Sequence, residues 1–145
     1  MGLFDGRAAQ ASVRYRELVT PLLRPGEELL GTLQANEKSS FSYKGWVVGV
    51  TPDRLIMVPV DRKLNAKSEE TSVRHEDITA SSVDGLGGGL KHFATSDLGD
   101  IRFDTPDRTW KLLIMGGGID RVVTGEEQTD GKALLLEFLA SARRA

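Results

Sequence analysis

Apolar residues occupy both faces of two consecutive segments near the middle of the chain, residues 46–50 (WVVGV) and 55–60 (LIMVPV). Between them stands Thr51-Pro52-Asp53-Arg54, where proline presets the backbone of a type I turn and aspartate can bond to the backbone beside it. Valine, isoleucine and tryptophan suit a pleated surface, so the pattern predicts a β-hairpin. Because neither face is polar, we expect this hairpin near the middle of a sandwich or barrel.

A second hairpin is predicted later in the chain. In residues 99–105, Ile101 and Phe103 alternate with charged residues, and in residues 109–115 Trp110, Leu112 and Ile114 share one face. Thr105-Pro106-Asp107-Arg108 joins the two segments and repeats the first turn letter for letter. We interpret the repeat as one physical solution used twice. Residues 27–36 are predicted to form the first strand, and residues 70–75 and 78–83 are weaker strand candidates, which makes about seven strands in total.

An amphipathic helix is predicted over residues 7–23. Its apolar stripe consists of Ala8, Ala11, Tyr15, Leu18 and Leu22. Either the helix stops near Val19 and Thr20 caps a new turn that begins with Pro21, or the helix kinks at Pro21. The stripe packs on its own domain or serves as a partner or membrane surface, and the sequence leaves both interpretations open.

A closing helix is predicted over residues 130–144, with Thr129 or Asp130 as its N-cap. Leu135, Phe138, Leu139 and Ala142 form its apolar stripe and are expected to face the hairpins, including Trp46 and Trp110. The connection formed by residues 116–129 has no assignment.

The first hairpin resembles a family motif. Gly49-Val50-Thr51-Pro52-Asp53-Arg54-Leu55-Ile56 is similar to the G-x-hydrophobic-T-x-x-R-L-hydrophobic hairpin of bacterial pleckstrin-homology-like domains and GRAM-type relatives. Glu27-Glu28-Leu29, Asp77-Ile78 and Ser81-Ser82-Val83 are similar to further family positions. The resemblance implies a mainly β, seven-stranded antiparallel sandwich capped by a C-terminal helix. It assigns residues 27–145 to this domain and leaves residues 1–26 as an N-terminal helical extension.

Composition narrows the functional classes. The chain has 145 residues, 39% hydrophobic and 28% charged, with a net charge of −2, which suits one soluble domain and argues against a nucleic-acid partner. There is no cysteine, so disulfides and thiolate catalysis are excluded. No apolar stretch is long enough to span a membrane, and residues 1–10 do not form a signal peptide. We expect a cytoplasmic protein, with peripheral membrane contact as an option.

The sequence offers little chemistry for an enzyme. His75 and His92 have no second nitrogen ligand at metal-binding spacing. The glycine-rich segments 85–89 and 125–132 fail the dinucleotide and P-loop patterns, and no nucleophile elbow is present. We therefore expect no cofactor, no metal and no catalytic residue.

Basic loop residues are the candidate ligand-binding residues. In the fold that the resemblance implies, the loops after strands 1, 3 and 6 surround one open end. Such a rim can hold phosphate oxygens, although Gly45-Trp46-Val47 stands where phosphoinositide-binding members carry paired arginines. Solvated loop charges are the alternative interpretation. The candidates are Lys38, Lys44, Arg62, Lys63, Lys67 and Arg108.

The sequence thus leads to two functional hypotheses. The first is a non-catalytic scaffold or interaction module that self-associates as a homo-oligomer or binds a protein partner through exposed sheet edges. The alternative is a weak receptor for anionic lipid or another phosphorylated ligand that binds through the basic loops.

Overall fold

The computed structural model describes residues 13–37, 44–84, 98–115 and 121–144. Helix α1 spans residues 13–19 and helix α2 spans Arg121–Arg144, and short 3-10 turns occur at Thr20–Leu22 and His75–Asp77. The strands are β1 Gly31–Glu37, β2 Gly45–Val50, β3 Arg54–Val60, β4 Thr71–Arg74, β5 Ala80–Asp84, β6 Leu98–Asp104 and β7 Thr109–Met115.

All strand pairs are antiparallel, and the seven strands follow the order β4-β3-β2-β1-β7-β6-β5. Strand β1 joins the two halves of the sheet, since it pairs with β2 from Gly31 to Asn36 but with β7 only at Asn36 and Glu37. The two halves are therefore hydrogen-bonded at one end of β1 and separate along the rest. The predicted fold class, a seven-stranded antiparallel sheet with a C-terminal helix, is confirmed.

The main core lies between the two halves of the sheet and helix α2. Leu135, Phe138 and Leu139 of α2 are buried in the same cluster as Trp110, with Trp46 packed against it. The predicted stripe of the closing helix is thus confirmed. The cluster also contains the inward-facing residues of the strands, which are Leu33, Ala35, Val48, Val50, Leu55, Met57, Val73, Ile101, Phe103, Leu112 and Ile114.

A second core covers the opposite face of β2 and β3, and helix α1 provides its outer layer. Tyr15 and Val19 of α1 are buried there, together with Val47, Ile56 and Val58 of the hairpin. This explains why both faces of the hairpin are apolar. Gly49 allows the close approach, because a β-carbon at this position would lie 2.5 Å from a Val19 methyl group.

The end of α1 agrees with one of the two alternatives. The helix ends at Val19, and a 3-10 turn with Pro21 in its first positions follows. Val19, rather than Thr20, occupies the cap position, and no side chain caps the turn. Residues 7–12 of the predicted helix lie outside the described residues.

The predicted start of the closing helix is wrong. Helix α2 begins at Arg121, so Thr129 and Asp130 lie inside it rather than at its N-cap. The helix therefore includes most of the segment that the sequence left unassigned. Glu127 and Gln128 in these turns are polar residues that accept hydrogen bonds from backbone N–H groups of β1. The turns therefore have no apolar stripe from which a helix could be predicted.

Glu127 and Gln128 satisfy the part of the β1 edge that has no neighbouring strand. The Glu127 carboxylate accepts hydrogen bonds from Thr32 N at 3.0 Å and Thr32 Oγ1 at 2.8 Å. The Gln128 amide accepts from Gln34 N at 2.7 Å and donates to Gln34 O at 2.8 Å, as a neighbouring strand would. Gly131 allows this proximity, since a β-carbon there would lie 2.1 Å from Thr32 O. The helix thus closes the gap between the two halves of the sheet.

Within the described residues, no helix combines the length and apolar character needed to cross a bilayer.

Candidate ligand-binding pocket

A pocket of about 200 Å³ lies where the β1–β2, β3–β4 and β6–β7 connections meet. Three cationic side chains line it, one from each connection: Lys44, Lys67 and Arg108. The other lining residues are Glu37, Gly45, Trp46, Pro59 and Ser68. Three positive charges and one negative charge therefore surround a small pocket with an aromatic side chain in its wall.

Arg108 is held by its own turn and by aromatic rings. Thr105 fixes the backbone of the turn, because its N and Oγ1 both donate to Arg108 O, at 2.9 and 3.1 Å. The guanidinium carbon lies 3.9 Å from the ring centre of Trp110 and 6.0 Å from that of Trp46. A guanidinium over a tryptophan face is attracted by the ring quadrupole, and this contact orients the cation at the pocket.

Glu37 partly neutralises the pocket. Its carboxylate accepts a hydrogen bond from Arg108 Nη2, and its other oxygen lies 4.0 Å from Lys44 Nζ. The Glu37 side chain is only 11% exposed, whereas Lys44 and Arg108 are 56% and 40% exposed. The cations thus remain accessible to an external anion, while the carboxylate lies beneath them.

Trp46 contributes both to the pocket and to the core. It stands opposite Pro59 in the β2–β3 register, so both residues face the pocket from adjacent strands. Its ring lies 4.9 Å from that of Trp110, edge to face. A rearrangement of Arg108 would therefore change the surroundings of both tryptophans, which are the only two in the chain.

The structure brings together half of the predicted cationic residues. Lys44, Lys67 and Arg108 line the pocket, whereas Arg62 and Lys63 are exposed in the β3–β4 loop and are not among the lining residues. Lys38 lies outside the described residues. Of the five candidates within the described residues, three therefore line this pocket and two do not.

A tight turn explains the position of Arg62 and Lys63. Asp61 accepts hydrogen bonds from the backbone N of Lys63 and Asn65, both at 2.9 Å, and these bonds lower its pKa. Leu64 has a left-handed backbone, with φ of 63°, and packs against the second core. The loop is thus anchored on the α1 side, where Arg14 Nε also donates to Leu64 O at 2.8 Å.

The arginine of the first hairpin turn has a different environment from Arg108. Arg54 is buried, and its guanidinium forms a two-point ion pair with Glu27 at 2.7 and 2.8 Å. It also donates to Ser72 Oγ at 2.6 Å and to Leu22 O at 2.9 Å. This network links two positions of the family resemblance, Glu27 and Arg54, and leaves Arg54 a structural rather than a ligand-binding residue.

A larger cleft of about 320 Å³ adjoins the pocket and shares Arg108 with it. Asp77 and Asp107 line this cleft, together with Thr71, Ser72, Val73, Thr105, Pro106 and Trp110. Two carboxylates against one guanidinium make it a poor anion site despite its size.

Histidines and carboxylates are the side chains of this chain that could hold a metal ion. His75 is half-buried and stacks on Phe138 with ring centres 3.9 Å apart, so its ring packs against helix α2. His92 lies outside the described residues. No group of three or more His, Cys, Asp or Glu side chains suited to a metal ion occurs in the described parts of the chain.

Sequence reasoning missed Glu37 and the pocket role of Trp46. The first predicted strand ends at residue 36, but Glu37 is the last residue of β1 and its carboxylate contacts two cations. No local pattern marks it, since its partners Lys44 and Arg108 come together only through the sheet.

Comparisons with known proteins show the fold and no closer relationship. No protein-family model matches the sequence, and no curated protein matches it. The structure is similar to the hSac2 domain of the human phosphoinositide phosphatase Sac2, with a TM-score of 0.52, 8% identity, and coverage of 93% of this chain and 82% of that chain.

Two further structures score lower. One is a DUF1696 family protein with a pleckstrin-homology domain from Shewanella loihica, with a TM-score of 0.46, 12% identity and coverage of 88% and 92% of the two chains. The other is the C-terminal domain of a protein of unknown function from Leishmania infantum, with a TM-score of 0.46, 16% identity and coverage of 86% and 94%. The strand order and the closing helix define this chain as a protein of pleckstrin-homology-like fold.

Proposed function

We propose that this chain is a non-catalytic binding module that holds an anionic, phosphate-bearing group in the pocket formed by Lys44, Lys67 and Arg108. The observation that carries the proposal is the convergence of these three cations from three different connections around Trp46. If these cations were only solvated loop charges, their positions in three separate connections would not be expected to converge on one concave site.

The chemistry of the three side chains suits phosphate. A guanidinium presents several donors in a planar fork that matches phosphate oxygens, and an ammonium adds a compact charge with freely rotating donors. The volume of about 200 Å³ is small compared with the roughly 300–1,000 Å³ of typical small-molecule sites. The pocket therefore suits one phosphate-bearing group, on a lipid headgroup or on a soluble molecule.

The test uses single lysine variants with matched controls. Lys44→Ala and Lys67→Ala remove pocket charges, whereas Lys63→Ala and Lys111→Ala remove the same charge from exposed positions outside the pocket lining. We expect each pocket variant to weaken binding by about tenfold to a hundredfold, because a hydrogen bond to a charged group contributes about 1.5–3 kcal/mol. The control variants should bind like the unmodified protein.

Two arms of the experiment distinguish the sources of phosphate. Tryptophan fluorescence is titrated with inorganic pyrophosphate for the soluble arm. Co-sedimentation with phosphatidylcholine vesicles, with and without a phosphoinositide, gives the lipid arm, and binding in it should fade as salt rises. Equal losses in all four lysine variants, or no binding in either arm, would refute the pocket. Salt-resistant vesicle binding would refute the pocket as the lipid site and point instead to apolar contacts, for which Leu3 and Phe4 near the start of the sequence are the candidates.

Self-association is the second candidate function, and the edge strand β5 favours it. Within the described residues, β5 pairs only with β6, and its residues Ala80, Ser81 and Ser82 are small and uncharged. Edge strands are usually protected by charge, proline or a bulge, and this part of β5 has no charge or proline. We propose that a second copy pairs along this edge, and the oligomeric state of the intact protein tests it.

A further inference from the structure

Glu37 is fixed in place by the sheet on both sides. Its backbone N donates to Lys44 O at 2.8 Å, and it stands opposite Leu112 in the short β1–β7 ladder. Its side chain is 11% exposed, so the carboxylate has little freedom to leave the pocket.

The carboxylate contacts two of the three cations that the proposed ligand would use. It accepts a hydrogen bond from Arg108 Nη2 and lies 4.0 Å from Lys44 Nζ. A phosphate oxygen in the pocket would need the same two groups. The two carboxylate oxygens of Glu37 therefore contact the same cations that two oxygens of a bound phosphate would contact.

We infer that Glu37 acts as a built-in competitor for the pocket, an inference that rests on the proposed anion-binding function. Its negative charge repels every incoming anion and competes for the donors of Arg108. A guanidinium has five donor hydrogens, and the hydrogen bond to Glu37 comes from Nη2, so a ligand can take donors on the other side of the stacked group. Glu37 thus makes Arg108 a shared donor rather than a free one.

The competitor also sets the charge class of the ligand. Three positive charges and the one negative charge of Glu37 leave two positive charges uncompensated in the pocket, so an anion with two or more negative charges gains more there than a singly charged carboxylate does. The structure therefore assigns the pocket to anions with more than one negative charge, such as a phosphomonoester or a pyrophosphate.

The decisive variant is Glu37→Gln, which keeps a hydrogen-bond acceptor for Arg108 and removes the charge. We expect pyrophosphate to bind about tenfold more tightly, the effect of one unit charge a few ångströms away in a partly screened site. Tryptophan fluorescence reports the titration. Glu69→Gln, an exposed glutamate beside the lining residue Ser68, is the matched control for a general change in surface charge and should leave the affinity unchanged.

A double variant tests whether the gain depends on Arg108. In the Arg108→Ala background, Glu37→Gln should gain clearly less than tenfold, because the shared donor is gone. Thermal unfolding checks that each variant is folded, and Glu37→Met replaces Glu37→Gln if the latter fails this check.

The outcomes separate the inference from the function beneath it. If the unmodified protein binds pyrophosphate through Lys67 and Glu37→Gln binds no more tightly, the competitor role is refuted and the binding function stands. An equal gain in Glu69→Gln refutes the competitor role as well. If only Glu37→Gln binds, the competitor role is supported and the function of the unmodified pocket is refuted, and if neither binds, both are refuted.

Discussion

At the scale of single residues, two arginines in the same tetrapeptide have different roles. In both turns the threonine N donates to the arginine O, at 3.0 Å in the first and 2.9 Å in the second. Arg54 is nevertheless buried against Glu27, whereas Arg108 is 40% exposed over Trp110. The turn fixes the backbone, and the neighbouring elements decide what each guanidinium does.

The Glu27–Arg54 pair predicts a strong effect of Glu27→Gln. Removing the carboxylate leaves the Arg54 guanidinium buried without a counter-charge, which costs on the order of 3–5 kcal/mol. We expect the free energy of unfolding in urea to fall by about this amount. Glu28→Gln, at the exposed neighbouring position, is the control and should change it little.

The same pair predicts an acid-dependent loss of stability. The hydrogen bond from Arg54 lowers the pKa of Glu27 from 4.5 to about 2. Because the folded-state pKa is lower than the unfolded one, the contribution is complete above pH 4.5 and disappears as pH falls towards 2. In this window the unmodified protein should lose stability more steeply than Glu27→Gln. Parallel pH profiles of the two proteins would contradict this assignment.

At the scale of elements, helix α1 is a covering layer for the central hairpin. Tyr15 and Val19 pack on the outer face of β2 and β3, and Tyr15 Oη donates to Gln34 Oε1 at 3.0 Å. Arg16 pairs with Glu127 at 3.1 Å and thereby links α1 to α2. The described part of the predicted stripe, Tyr15, Leu18 and Leu22, therefore packs on the sheet of the same chain.

A pair of substitutions in α1 tests the covering role. Val19 is fully buried and Val13 is 59% exposed on the same helix, so the same change to Asp has different consequences at the two positions. Val19→Asp should lower the free energy of unfolding by several kcal/mol, about the cost of burying an unpaired charge. Val13→Asp should leave it within about 0.5 kcal/mol. Equal melting temperatures for the two variants would show that α1 does not cover the hairpin.

At the scale of the whole molecule, the edges of the sheet differ in how far other parts of the chain cover them. The unpaired part of β1 is closed by Glu127 and Gln128 of α2, and the end of β3 is covered by its own loop, since Lys67 N donates to Pro59 O at 2.9 Å. Among the described residues, β4 and β5 each pair with a single strand. The proposed self-association would therefore use one of these outer edges, and β5 is the edge without charge or proline in residues 80–82.

The whole-molecule prediction is that the intact chain forms a dimer or larger assembly through β5. Sedimentation velocity should give a mass above the 15.8 kDa of one chain. Ser82→Lys places a charge on this edge and should shift the protein to the monomer, whereas Thr71→Lys, on the edge strand β4, should not. A strict monomer across the micromolar range would refute self-association and leave the anion pocket as the proposed function.

The sequence by itself determined the elements whose signals are local. The two hairpins, their turns and the stripe of the closing helix follow from side-chain period and turn chemistry, which act over a few residues. The apolar character of both hairpin faces also required two covering layers, although it did not identify α1 as one of them. The sequence likewise predicted the cations Lys44, Lys67 and Arg108.

Only the tertiary structure decided which of these residues meet. The start of α2 escaped prediction because Glu127 and Gln128 bond to a strand more than ninety positions away and carry no apolar period. Arg62 and Lys63 lie outside the pocket because Asp61 and Leu64 turn their loop towards α1. Glu37 became part of the site because the sheet places the ends of β1 and the β6–β7 turn together, a contact between residues 71 positions apart. Such long-range contacts depend on the packing of whole elements, which no local pattern encodes.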